Sequence, residues 1–198
     1  MLLQKKAIKI YNWNIYLWCV MKVTETKLKG CFIIEPAVFK DSRGYFFESF
    51  NQPKFEALTG QPGHFVQDNQ SASTYGVIRG LHFQKGEHAQ AKLVRVIEGI
   101  VLDVAVDIRP GSETYGQYVS VELTSENNLQ FYVPRGFAHG FSVLSETAVF
   151  AYKCDNNYNK ESEGGIAYND PTLAIDWRIP EEFRSLSEKD LGLGHLQG

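Results

Sequence analysis

Short stretches in which apolar and polar side chains alternate run from Phe39 to Phe150, parted by Gly, Pro, Asn and Ser. A period of two sends successive side chains to opposite faces, so the pattern predicts antiparallel strands. In Leu102–Arg109, Val104, Val106 and Ile108 share one face and Asp103, Asp107 and Arg109 the other, as a strand buried on one side would require. Tyr118–Leu123 and Gln130–Val133 repeat the theme, and Ala148–Cys154 puts Phe150 and Tyr152 on one face. Helix signals are scarce. Asn51 can cap a helix that Pro53 starts and Gly60 ends, and a second cluster lies in Pro180–Leu191. Strands spaced at roughly ten residues without βαβ alternation leave an all-β sandwich or barrel.

Composition narrows the class. A chain of 198 residues suits one core with short appendages, and aromatics at 13% favour strands. A net charge of −3 offers no field for a polyanion, which excludes nucleic acid and an anionic membrane as expected partners. Any phosphate must be held by a local basic cluster. Cys19, Cys31 and Cys154 form no CxxC and are odd in number, so a reducing, cytoplasmic setting is expected. Near the start, Lys5, Lys6 and Lys9 precede an apolar run, Ile10 to Val20. Asn12 and Asn14 interrupt it, no small-residue cleavage site follows, and Trp18 stands before Cys19 where a lipoprotein signal places a small residue. No stretch reaches the ~20 apolar residues of a membrane span. Residues 1–20 are therefore expected to be an upstream or vector-derived extension, and residues 21–198 a single domain with a C-terminal helical extension.

Several catalytic motifs are missing: G-x-G-x-x-G, the P-loop, G-x-S-x-G and H-E-x-x-H. Of the histidines His64, His82, His88, His139 and His195, two lie in polar-rich strand segments. They are His82, in Arg79-Gly80-Leu81-His82-Phe83-Gln84, and His139, in Pro134-Arg135-Gly136-Phe137-Ala138-His139. The second segment fits the P-x-G-x-x-H half of the cupin signature, a small β-barrel family. The other half carries H-x-H in metal-binding cupins, but here reads His82-Phe83-Gln84. Glu87 could complete a His82/Glu87/His139 set, yet glutamine at the second imidazole position argues against a metal, and no cofactor is expected.

From about Met21 to Leu191 the chain resembles the dTDP-4-dehydrorhamnose 3,5-epimerase family of cupins. The resemblance is carried by Phe39-Lys40-Asp41-Ser42-Arg43-Gly44-Tyr45-Phe46-Phe47-Glu48, Gln67-Asp68-Asn69-Gln70-Ser71, Arg79-Gly80-Leu81-His82, Ala91-Lys92-Leu93-Val94-Arg95-Val96, Tyr152-Lys153-Cys154, Glu163-Gly164-Gly165 and Leu186-Ser187-Glu188-Lys189-Asp190. It implies a cupin jelly roll of antiparallel sheets with the pocket inside the barrel. It also implies epimerisation of dTDP-4-keto-6-deoxyglucose at C3 and C5, and a homodimer that exchanges N-terminal strands.

The chemistry agrees with the residue types. Both C3 and C5 flank the C4 carbonyl, so a base can remove either proton and leave an enolate; inversion then needs an acid on the other face. Histidine suits the base because its pKa lies near working pH, help worth ~10²–10⁴ in rate. The resemblance implies His82 as base, Asp190 as its carboxylate partner, Lys92 as oxyanion stabiliser and Tyr152 as acid. Arg43 and Arg79 become diphosphate ligands. Glu48, Gln67, Asn69, His139, Glu163 and Lys189 become substrate contacts, with Arg43 or Glu48 serving a neighbouring subunit. Strict alternation would set Arg79 and His82 on opposite faces, and a bulge at Gly80 would reconcile them. Rival readings are a mono-epimerase or related nucleotide-sugar isomerase, a metal-dependent cupin oxygenase, and a non-catalytic sugar-binding cupin.

Overall fold

The computed structural model describes residues 21–196, so the extension assigned to residues 1–20 lies outside the described residues. The strands are β1 (Lys22–Glu25), β2 (Phe32–Glu35), β3 (Phe39–Asp41), β4 (Gly44–Phe46), β5 (Gln67–Thr74), β6 (Ile78–Gln84), β7 (Lys92–Glu98), β8 (Ile100–Asp107), β9 (Tyr118–Thr124), β10 (Gln130–Val133), β11 (Phe137–Val143), β12 (Thr147–Cys154) and β13 (Glu163–Gly165). Helix α1 spans Gln52–Thr59 and α2 spans Glu188–Leu191. A six-stranded sheet runs β1-β2-β10-β7-β12-β5, and a five-stranded sheet runs β13-β6-β11-β8-β9. Every strand pair is antiparallel, and β3–β4 forms a separate hairpin. Sequence-distant neighbours such as β2–β10 and β6–β11 fold the ribbon back on itself, the jelly roll expected from the sequence.

The two sheets close face to face. Val94, Phe131 and Phe150 of one meet Val101, Leu123 and Phe141 of the other in one apolar core. Outside the five-stranded sheet, Leu102, Val104 and Val106 lie beneath Ile166, Leu173 and Trp177. Outside the six-stranded sheet, Phe32, Leu93 and Tyr132 are covered by Phe55 of α1. That helix begins where its signals predict: Asn51 Oδ1 accepts from Lys54 N at 3.2 Å, and Gly60, at φ 67°, ends it.

The expectation for β8 fails on one point. Its polar face is as buried as its apolar one, with Asp103 and Asp107 both fully enclosed. Asp103 points into the barrel, and Asp107 takes hydrogen bonds from Arg109, Ser112 and Thr114. Period two identifies two faces; it cannot tell water from a barrel interior lined with polar groups. Among the described residues no helix is long and apolar enough to cross a membrane.

Candidate active site

A cavity of about 280 Å³ opens between the sheets. Its walls include His82 of β6, Lys92 of β7, Tyr152 of β12, Gln67 and Asn69 of β5, and Glu163 of β13. His82 thus belongs to one sheet while Lys92 and Tyr152 belong to the other.

His82 Nε2 lies 2.5 Å from Asp190 Oδ1, and the imidazole keeps 29% of its side-chain surface exposed while the carboxylate keeps 5%. Burial lowers the His82 pKa, an effect that the Asp190 charge and hydrogen bond oppose and that Lys189 and Lys92 reinforce. A neutral ring at neutral pH is the form able to accept a proton. Asp190 is held by local geometry as well, since Ser187 Oγ accepts from Asp190 N at 3.1 Å at the start of α2.

The Lys92 ammonium lies 5.8 Å from the centre of the Tyr152 ring. Among the described residues it has no hydrogen bond or ion pair, and no side-chain nitrogen or oxygen is both sealed from solvent and unpartnered. Its charge is therefore open to the cavity. Burial pushes the Lys92 pKa down, with Cys154, Asp103 and Glu163 acting the other way. Burial raises the Tyr152 pKa, reinforced by Cys154 and opposed by Arg79. The phenol therefore keeps its proton until a strong carbon base presents itself.

Arg79 joins this side of the barrel, donating from Nε to Ser73 Oγ on the opposite sheet at 3.2 Å. The tension with His82 resolves through register: His82 faces His139 and Arg79 faces Phe141, so three steps along β6 match two along β11. Gly80 sits at this shift with φ 120°, and a Cβ there would lie 2.6 Å from Gly140 Cα and 2.7 Å from His139 O. Only glycine fits.

The remaining assigned residues divide into four groups. Gln67 and Asn69 are joined at 3.0 Å on the cavity wall. Glu163 accepts from Tyr158 Oη at 3.1 Å and pairs with Lys189, which joins β13 to α2 across the cavity mouth. His139 stands beneath the cavity: its side chain is 7% exposed, bonds Asp103 at 2.9 Å and stacks on Phe150. Arg43 and Glu48 are not brought to the cavity of their own chain. Arg43 sits on the β3–β4 hairpin with its side chain 88% exposed and paired with Asp41; Glu48 is paired with Lys54.

Gln84 proves to be a loop anchor, its Oε1 accepting from Asn159 N at 3.1 Å. Glu87 points to solvent beside His88, so the His82/Glu87/His139 set does not assemble. Among the described residues no cluster of three or more His, Cys, Asp or Glu could hold a metal. Tyr158, Phe83 and Gln90 line the cavity although the sequence reading gave them no role. The Asn-rich turn Asp155-Asn156-Asn157-Tyr158-Asn159 was the available signal, an exposed aromatic in a loop next to the strand that carries Tyr152.

The family model described as dTDP-4-dehydrorhamnose 3,5-epimerase matches residues 25–197. The chain belongs to the dTDP-4-dehydrorhamnose 3,5-epimerase family. A curated member from Escherichia coli K12 is 55% identical over 157 residues, covering 79% of this chain and 85% of the relative. The crystal structure of the Elizabethkingia anophelis epimerase superposes with TM-score 0.85 at 66% identity, covering 88% of this chain and 96% of that one. A Legionella pneumophila epimerase solved with dTDP-4-keto-L-rhamnose gives TM-score 0.84 at 48% identity, over 90% and 100% of the two chains. Family membership and cavity thus rest on separate observations, one on whole-chain similarity and one on facing side chains.

Proposed function

We propose that this chain epimerises dTDP-4-dehydro-6-deoxy-D-glucose at C3 and C5 to dTDP-4-dehydro-L-rhamnose, in dTDP-L-rhamnose biosynthesis. The observation that carries this reading is that His82 and Tyr152 face one cavity from opposite sheets, with an unpaired ammonium beside the phenol. His82 removes the proton on carbon through Nδ1, the ring nitrogen not engaged by Asp190, and the electron pair moves onto the C4 oxygen as an enolate. Lys92 stabilises that oxygen as its charge develops, a contact whose loss typically costs ~10²–10³ in rate. The Tyr152 hydroxyl then protonates the carbon from the other face and recovers its proton from solvent, to which His82 releases the one it took. Asp190 orients the His82 ring and favours the imidazolium as it forms.

Arg79 would pair with the diphosphate, where a guanidinium can bond two oxygens, and Gln67, Asn69, Glu163 and Lys189 would contact the substrate. A second copy of the chain would complete the site, forming a homodimer. Support lies in the β3–β4 hairpin, which presents Phe39, Tyr45 and Phe46 to solvent together with Arg43. Neither a metal nor an organic cofactor enters this scheme. The cytoplasm is the proposed compartment, in keeping with free, buried thiols at Cys31 and Cys154.

Proton NMR of dTDP-4-keto-6-deoxyglucose with the enzyme in D₂O tests the reading. Exchange and inversion at both C3 and C5 are expected; inversion at one carbon alone would make it a mono-epimerase, and no exchange would overturn the assignment.

A further inference from the structure

Asp190 reaches His82 from α2, a four-residue helix too short to hold its own position. The surrounding strap is fastened at two ends. Upstream, Ser185 N donates to Gly76 O and Ser185 O accepts from Ile78 N, both at 2.9 Å, in a parallel bridge beside β6. Downstream, Ala167 N donates to Gly194 O at 2.8 Å, and Leu196 N donates to Asp170 Oδ2 at 2.6 Å. Between the anchors, Leu193 lies over Gly165 of β13, where an added Cβ would come within 2.6 Å of its side chain.

Asp170 is 2% exposed and does not line the cavity. One carboxylate oxygen caps its own turn, accepting from Thr172 N at 2.8 Å and Leu173 N at 2.9 Å; the other is left for Leu196. Burial alone would raise its pKa, but three backbone amides and His195 outweigh that and lower it, so it stays ionised. The turn needs one oxygen. The second oxygen serves only the strap.

We propose that Asp170 is a positioning residue for epimerisation: by holding Leu196 it tethers the strap from Ser185 to Leu196, keeps α2 against β6, and so fixes the hydrogen bond between Asp190 and His82. The inference rests on the reading of His82 as base and Asp190 as its partner. Asp170→Asn tests it closely, since the amide oxygen can still cap the turn while its NH₂ faces Leu196 N–H, donor against donor. A chain ending at Leu193 removes both downstream anchors, Gly194 and Leu196, while leaving residue 170 itself unchanged, and Asp190→Asn reports the loss of the pair itself.

For all three, kcat, KM and the pH profile of kcat are measured with dTDP-4-keto-6-deoxyglucose, alongside thermal melting. The base must be neutral to act, so activity falls as pH drops through the His82 pKa. Asp190 raises that pKa, so loosening the pair moves the acid limb to lower pH. Asp170→Asn and the shortened chain are expected to lose about 10-fold or more in kcat, since small misplacements of catalytic groups are costly. KM should stay within about two-fold, and the acid limb should move in the direction set by Asp190→Asn. Wild-type kcat and an unmoved limb in both, while Asp190→Asn is impaired, would overturn the proposal. If Asp190→Asn itself behaved as wild type, the pair reading would fail instead. Should Asp170→Asn not fold, the shortened chain decides; if that too failed to fold, the tail would belong to the global core and the positioning role would be refuted.

Discussion

Two His–Asp pairs lie side by side in this barrel and have opposite prospects. His82 and His139 face each other across neighbouring strands, each with a carboxylate at hydrogen-bond distance. The outer pair, His82–Asp190, opens onto the cavity and takes its carboxylate from a strap 108 residues further along the chain. The inner pair, His139–Asp103, joins adjacent strands, is closed to solvent and rests on Phe150. Residue type is the same. What separates a base from a buried polar tie is access to a reacting atom.

The sharpest test of that contrast is His82→Ala. Turnover should fall by about 10²–10⁴ while dTDP affinity, read by calorimetry, persists, because the base acts on the sugar and affinity rests on nucleotide contacts. Near-normal turnover would remove His82 from the mechanism and with it the distinction between the pairs.

Tyr152→Phe is next in size and probes the opposite sheet. With packing kept and the hydroxyl gone, inversion should drop by about 10², in line with the loss of one general acid. Deuterium uptake at C3 and C5 should survive better, because His82 can still form the enolate and return solvent deuterium to the original face. Inversion of both carbons at the wild-type rate would leave Tyr152 as a packing residue.

Breaking the inner pair should act on stability instead. His139→Ala leaves the Asp103 carboxylate buried and uncompensated, a loss of about 3–5 kcal/mol, so melting falls clearly while turnover per folded molecule changes less than about 10-fold. A KM rise beyond about 10-fold with an intact fold would instead show that the ring reaches substrate, as the family resemblance implies. The smallest effect is expected for a chain starting at Met21. Its turnover should equal that of the full chain, and aggregation or inactivity would assign residues 1–20 a place in the fold.

Legibility followed the range of the interactions. The helix at Gln52–Thr59 was readable because Asn51, Pro53 and Gly60 act within one turn of its ends. The strands were readable from alternation, and the motifs around His82, Lys92 and Tyr152 singled out three residues that the structure brings to one cavity. The buried polar face of β8 was not, because an aspartate facing water and one facing a barrel interior leave the same periodicity. The direction of Arg79 was legible only as a bulge anticipated at Gly80, and the register shift between β6 and β11 supplies it. Tyr158 escaped for a related reason: its turn enters the cavity wall only once β13 pairs with β6.

By itself the sequence determined an all-β chain, the locations of caps and turns, and an inventory of acid, base and cation suited to a keto sugar. Those are local properties, decided within a few residues by backbone geometry and side-chain chemistry. Only the tertiary structure decided which groups meet. Asp190 pairs with His82 and Asp103 with His139 across 108 and 36 residues, choices made by strand order and by the anchoring of the C-terminal strap. It also withheld Arg43 and Glu48 from the cavity of their own chain, because the β3–β4 hairpin leaves the barrel before the cavity walls are built. Contacts between distant segments depend on how the two sheets close over one core, and no short window of sequence records that closure.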